Sequence, residues 1–124
     1  MDTPDDILEK IQKLIDSNSN YKFEAYSFVM AALHFTMSSL KKPRHVSGQE
    51  LCEGIKRYAL DQFGPLAGTV LEHWGIRETL DFGCIVFALV DAGLMRKTEE
   101  DSLDDFKDVY DFKAVFSSKL IFES

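Results

Sequence analysis

A chain of 124 residues, 45% hydrophobic and 28% charged, is long enough to bury a core as one domain without disulfide or metal staples. Its formal charge of −7, from 21 acidic against 14 basic residues, opposes nonspecific attraction to nucleic-acid phosphates and anionic lipid. Two cysteines, Cys52 and Cys84, exclude a disulfide framework; both are expected as reduced thiols in apolar, helical surroundings.

The opening residues "MDTPDD" are acidic and lack an apolar core, so no secretion signal is expected. Thr3 is placed to cap a first helix, with Pro4 at its first position and Asp5 and Asp6 near the positive end of the helix dipole. Ile7, Leu8, Ile11, Leu14 and Ile15 then make one apolar stripe. The polar loop Ser17 to Asn20 ends it. A longer helix is expected from about Tyr21 to Lys41, apolar on nearly all sides and therefore central in a bundle. Its longest uncharged run, Ala25 to Leu40, is short for a bilayer span and carries Ser27, His34, Thr36, Ser38 and Ser39. No membrane insertion is expected, and a reducing, cytoplasmic setting is. His34, on this apolar helix, is expected as a satisfied core or boundary histidine.

Pro43 stops that helix. Ser47 and Glu50 then fit the reciprocal capping box Ser-x-x-Glu, and Leu51, Ile55, Tyr58, Ala59 and Phe63 point one face of the next helix inward. Gly64-Pro65 breaks it and begins a short helix through Leu66, Val70, Leu71 and Trp74, with Gly75 as a left-handed stop. Thr79 is placed to cap a further helix ending at Gly93. Gly83 inside it predicts a close helix–helix approach, because an interior glycine otherwise costs about 1 kcal/mol against alanine. Beyond Gly93, "LMRKT" reads as a short strand, "EEDSLDD" as an acidic loop and "FKDVYDF" as either strand or helix. Phe112, Val115 and Phe116 favour a final helical turn, and "KLIFES" is a tail.

The expected fold is mainly α with a small β-hairpin: a compact helical bundle with a winged-helix-like C-terminal half. One domain spans 1–124, with a capped helix and loop over 1–20, a helical core over 21–95, and an acidic hairpin or wing plus tail over 96–124. From about Ser47 to Phe112, two short helices, a helix ending "LVDAGLMRK" and a hairpin resemble a winged helix-turn-helix, in which the third helix enters the major groove. From Tyr26 to Phe116, the order "RHVSGQEL", "FGPLAGTVLEHWGI", "DFGCIVFALVDAGLMRKTEED" and "DFKDVYDF" resembles an uncharacterised family of small single-domain bacterial proteins. That resemblance implies only a self-contained bacterial domain and supplies no catalytic residues to carry over.

DNA reading through the apolar helix 79–93 is not expected. Base edges and phosphates are held by Arg, Lys, Asn, Gln, Ser or Thr, and Phe82 to Leu94 contains none of these. The wing is opposed by Glu99, Glu100, Asp101, Asp104, Asp105 and Asp108 against Arg96, Lys97 and Lys107. The one dense basic run, Lys41, Lys42, Arg44 and His45, together with Lys56 and Arg57, is the candidate binding face for a phosphate, RNA or an acidic segment. A solvated inter-helix turn is the plainer expectation for it. The "DFG" at Asp81 lacks the glycine loop and catalytic segment of a kinase. His34, His45, His73, Cys52 and Cys84 lack metal-ligand spacing, and Ser47 beside His45 is better explained as a cap than as a nucleophile. No catalytic residue, cofactor or metal is expected.

Three functions follow in order. The first is a noncatalytic domain that docks a protein partner or itself, because the stretch 63–76 and the tail carry more apolar surface than one small core covers. The second is nucleic-acid binding through 41–45 with Lys56 and Arg57. The third is a small ligand-binding protein or enzyme with a pocket near His45, Glu50 and Arg57.

Overall fold

In the computed structural model, which describes residues 3–17, 20–98 and 101–116, the first helix begins where its cap is written. The Thr3 amide donates to Asp6 Oδ2 and the Asp6 amide donates to Thr3 Oγ1, both at 3.2 Å, and α1 runs Pro4–Ser17. The following elements are α2 (Phe23–Ser38), α3 (Gly48–Phe63), a 3-10 turn (Gly64–Leu66), α4 (Ala67–His73), α5 (Thr79–Asp91), a second 3-10 turn (Leu103–Phe106) and α6 (Phe112–Phe116). The protein is mainly α, and no strand occurs among the described residues.

α2 is the central helix, packed on α1, α3 and α5. It is shorter at both ends than its apolar pattern suggests. At its start the Lys22 amide donates to the Trp74 carbonyl at 3.2 Å, and the Tyr21 hydroxyl donates to Asp81 Oδ1 at 2.6 Å. These bonds tie the entry segment to α4 and α5. At its end the Ser38 and Ser39 hydroxyls donate back to the carbonyls of His34 and Thr36, local bonds that compete with continuation of the helix to Lys41. His34 is exposed rather than at the core boundary. α3 crosses α2 where Gly54 faces Thr36: a Cβ at Gly54 would collide with Thr36 Oγ1. Gly75 and Gly93 hold φ of 95° and 80°, the left-handed stops expected of them.

The hairpin expected after Gly93 is replaced by local turns. Asp101 Oδ2 accepts the Thr98 amide at 2.8 Å, and Asp105 Oδ2 accepts the Ser102 amide at 3.1 Å. Short acids that bond nearby backbone close turns and compete with a strand ladder. The second turn drives Phe106 into the core, where it is 3% exposed. Gly83 and Gly48 make room for it: a Cβ at Gly83 would lie 2.8 Å from Phe106 Cγ and one at Gly48 2.9 Å from Phe106 Cε1. The space at Gly83 thus admits an aromatic ring, not a neighbouring helix.

Thr79 is also reassigned. Glu78 is the N-cap residue of α5, and the Arg77 and Glu78 amides both donate to Asp81 Oδ2, at 2.8 and 3.2 Å. Thr79 is 1% exposed. Its hydroxyl donates to the Phe106 carbonyl at 2.6 Å and accepts the Val109 amide at 3.2 Å. The residue is a clamp between α5 and the segment 106–109. The α5 residues Phe82, Gly83, Ile85, Val86 and Leu89 are buried, so this helix is packing material, as its composition implies.

Candidate functional site

Of the six residues of the expected basic face, three are paired with the chain's own acids. Arg44 makes a bidentate pair with Glu50, at 2.9 Å to Oε1 and 2.6 Å to Oε2. The same Glu50 Oε1 accepts the Ser47 amide at 3.0 Å while Ser47 Oγ accepts the Glu50 amide at 3.1 Å. The Arg44 guanidinium first, and the Ser47 amide next, hold the Glu50 carboxyl down at about 2. His45 Nε2 lies 2.7 Å from Asp101 Oδ2. Partial burial of Asp101 works against its ionisation, but the Thr98 amide and His45 outweigh it and keep the carboxyl below its ordinary value. Lys56 pairs with Glu53 at 2.8 Å and sits over the Tyr110 ring at 5.5 Å. Lys41, Lys42 and Arg57 are exposed. Half of the candidate face is therefore neutralised by the chain's own acids.

Arg44 and His45 instead border a cleft of about 180 Å³ between α2, the start of α3, α5 and the segment after α5. Its walls are Leu33, Met37, Val46, Leu51, Val86, Phe87, Met95 and Phe106, and its polar border adds Arg96, Lys97 and Asp101. Lys41, Lys42, Glu50, Lys56 and Arg57 do not line it. Ser47 does, but its hydroxyl serves the helix cap and His45 is directed to Asp101, so the pair does not form a nucleophile and base. From sequence Met95, Arg96 and Lys97 read as a short strand of the expected wing; their meeting with Leu33 and Val46 is a product of tertiary packing.

A second feature lies on another face. The buried Phe28 ring touches Tyr58, Phe63 and Trp74, with centroids 5.3, 5.7 and 5.5 Å away. Phe63 meets Trp74 edge-on at 5.7 Å, and Phe35 meets Tyr58 at 5.1 Å. Phe35, Tyr58, Phe63 and Trp74 are only half-buried. A groove of about 280 Å³ opens over Phe28, Tyr58, Phe63 and Trp74, bordered by Phe23, Glu24, Ser27, Ala31 and Gln62. On the adjoining stretch Leu60 is 40% and Leu66 59% exposed.

Cys52 and Cys84 are free thiols. Burial, with Glu53 nearby, pushes the Cys52 thiol up to about 12, so it is inert near neutral pH. Among the described residues no group of three or more His, Cys, Asp or Glu is arranged to hold a metal ion, and no helix is long and apolar enough to cross a membrane. Comparison of the chain with protein-family models, with curated proteins and with solved structures returns no match.

Proposed function

We propose that this chain is a noncatalytic docking domain that binds a protein partner through the aromatic face of α2, α3 and α4. The observation that carries this reading is the set of half-buried rings, Tyr58, Phe63 and Trp74, around Phe28 and open to a groove. Aromatic side chains are enriched at protein interfaces, and Trp and Tyr dominate their energetics because they desolvate much surface at low entropic cost. Evolutionarily ordinary surface leucines need no explanation singly, but exposed Leu60 and Leu66 extend the apolar character of the same stretch. The reducing compartment expected for two free thiols is part of this reading. The resemblance to small bacterial proteins adds a setting and no activity.

The nucleic-acid reading is weaker because Arg44, His45 and Lys56 are engaged by Glu50, Asp101 and Glu53. The winged-helix resemblance lends no support either, since the outward side of α5, with Leu80, Cys84, Phe87, Ala88 and Asp91 partly or fully exposed, offers no cationic or amide side chain to base edges, and no described residue forms a wing strand. The deciding experiment is affinity capture of a partner with the full chain and its Trp74→Ala variant, alongside light scattering for self-association. A partner or a second copy retained by the parent and lost with Trp74→Ala, at unchanged fold, supports the reading. Equal capture by both, or a strict monomer that retains nothing, counts against it.

A further inference from the structure

We infer that the cleft bordered by Arg44 and His45 is a small-ligand site for an aliphatic monocarboxylate, with the hydrocarbon tail between Leu33, Leu51 and Val86 and the carboxylate at Arg96 and Lys97. This site shares no lining residue with the aromatic groove, and stands or falls independently of the docking reading.

Three helices supply its apolar interior, Leu33 from α2, Leu51 from α3 and Val86 from α5. A volume of about 180 Å³ equals the liquid volume of about six waters. Away from the polar border, water against Leu33, Leu51 and Val86 would meet few polar partners, whereas a short alkyl chain covers the same walls at no hydrogen-bonding cost. Met37 and Met95 both line it, and flexible thioethers adapt to irregular ligands. Met37 is 45% exposed, apolar surface that a ligand would cover.

The charge at the mouth selects the head group. Arg44 is consumed by Glu50 and His45 by Asp101. Arg96 and Lys97 remain as exposed cations with no ion pair among the described residues; Lys97 stands 6.0 Å from the centre of the Phe87 ring. Two cations above an apolar chamber match one carboxylate on a short tail. An amine of the same length would meet both with repulsion, and an alcohol would gain nothing from their charge.

The test is titration of the full chain with hexanoate, followed by backbone amide resonances, with hexanol, hexylamine and N-acetyl-leucine in parallel. Hexanoate is expected to shift amides around Val46, Val86 and Met95, and to bind at least about tenfold more tightly than hexanol or hexylamine. The double variant Arg96→Ala with Lys97→Ala changes two exposed positions; it is expected to abolish the preference for hexanoate over hexanol while hexanol still shifts the same amides. Shifts confined to other faces, equal binding of hexanoate and hexanol, no hexanoate binding, or an unchanged preference in the double variant would overturn the assignment. Tighter binding of N-acetyl-leucine than of hexanoate would also overturn it, in favour of a peptide C-terminus.

Discussion

Two aromatic regions of this molecule carry similar residues and finish in opposite states. At the seam between α5 and the 103–109 segment, Phe106 enters a space left by Gly48 and Gly83, and Thr79 satisfies both the carbonyl of Phe106 and the amide of Val109. On the face of α2, α3 and α4, Tyr58, Phe63 and Trp74 gather on Phe28 but stay half-buried under an open groove. The difference lies in their neighbours. Glycine backbone and a buried hydroxyl admit a ring completely; at the other face the rings pack on the core from one side only, and their outer edges are left for water or a partner. An apolar surplus in a sequence thus has two destinations, which composition cannot separate.

The strongest way to break this contrast is at the closed region. Phe106→Ala is expected to cost about 3–5 kcal/mol, the usual range for emptying a buried aromatic site, read as a lower urea midpoint with little change in slope. A loss below about 1 kcal/mol would mean that the seam is not a structural core. Thr79→Val keeps the volume and removes both hydrogen bonds. It leaves the Phe106 carbonyl and Val109 amide short of a partner, so a loss of about 1–3 kcal/mol is expected in the same measurement. A neutral outcome would show that water replaces the hydroxyl and that the clamp is dispensable.

A smaller effect is expected from acid. Glu50 is held at about 2 by Arg44 and the Ser47 amide, and Asp101 is held below its ordinary value against its own partial burial. Both carboxyls are lower in the folded chain than in the unfolded one. Their contribution is therefore complete above the ordinary carboxylate range and is lost as pH falls from about 4.5 through about 2. Because the Arg44–Glu50 pair is largely exposed, with side-chain exposures of 52% and 41%, the decline is shallow. Urea midpoints across this window should fall gently in the parent and more gently in Glu50→Gln.

What was legible in the sequence is what neighbouring residues decide among themselves. Thr3 with Pro4, the Ser47–Glu50 box, and the stops at Gly75 and Gly93 depend on chemistry within a few positions, and each occurs where its residues place it. The surplus of apolar surface near 63–76 was also readable, because Phe63, Leu66 and Trp74 exceed what one short helix can hide. The hairpin was misread because the aromatics from Phe106 to Phe112 alternate as a strand would, while the turns that override them rest on Asp101 and Asp105 bonding their own backbone. Thr79 looked like a cap because it starts a helix; its partners, Phe106 and Val109, are distant in the chain. The basic run looked available because Asp101, which engages His45, is supplied from beyond α5. A pocket near His45 is expected from sequence with Glu50 and Arg57 beside it; the cleft that His45 borders is walled instead by Leu33, Val46 and Val86, which come from three separate segments.

The smallest stability effect is expected at Leu66, and it tests the open side of the contrast. At 59% exposure this side chain has little burial to lose, so Leu66→Ser should shift stability by no more than about 0.5 kcal/mol. The comparison must be made by urea unfolding beside Thr79→Val, which deletes fewer carbon contacts but one buried and one part-buried hydrogen bond. If Leu66→Ser lowered the midpoint as far as Thr79→Val, the stretch after α3 would be a working part of the core and not a face held open. A near-neutral result leaves apolar surface that folding does not require, and such surface on a chain of strong negative charge is what a docking face needs: solubility from the whole, adhesion from one side.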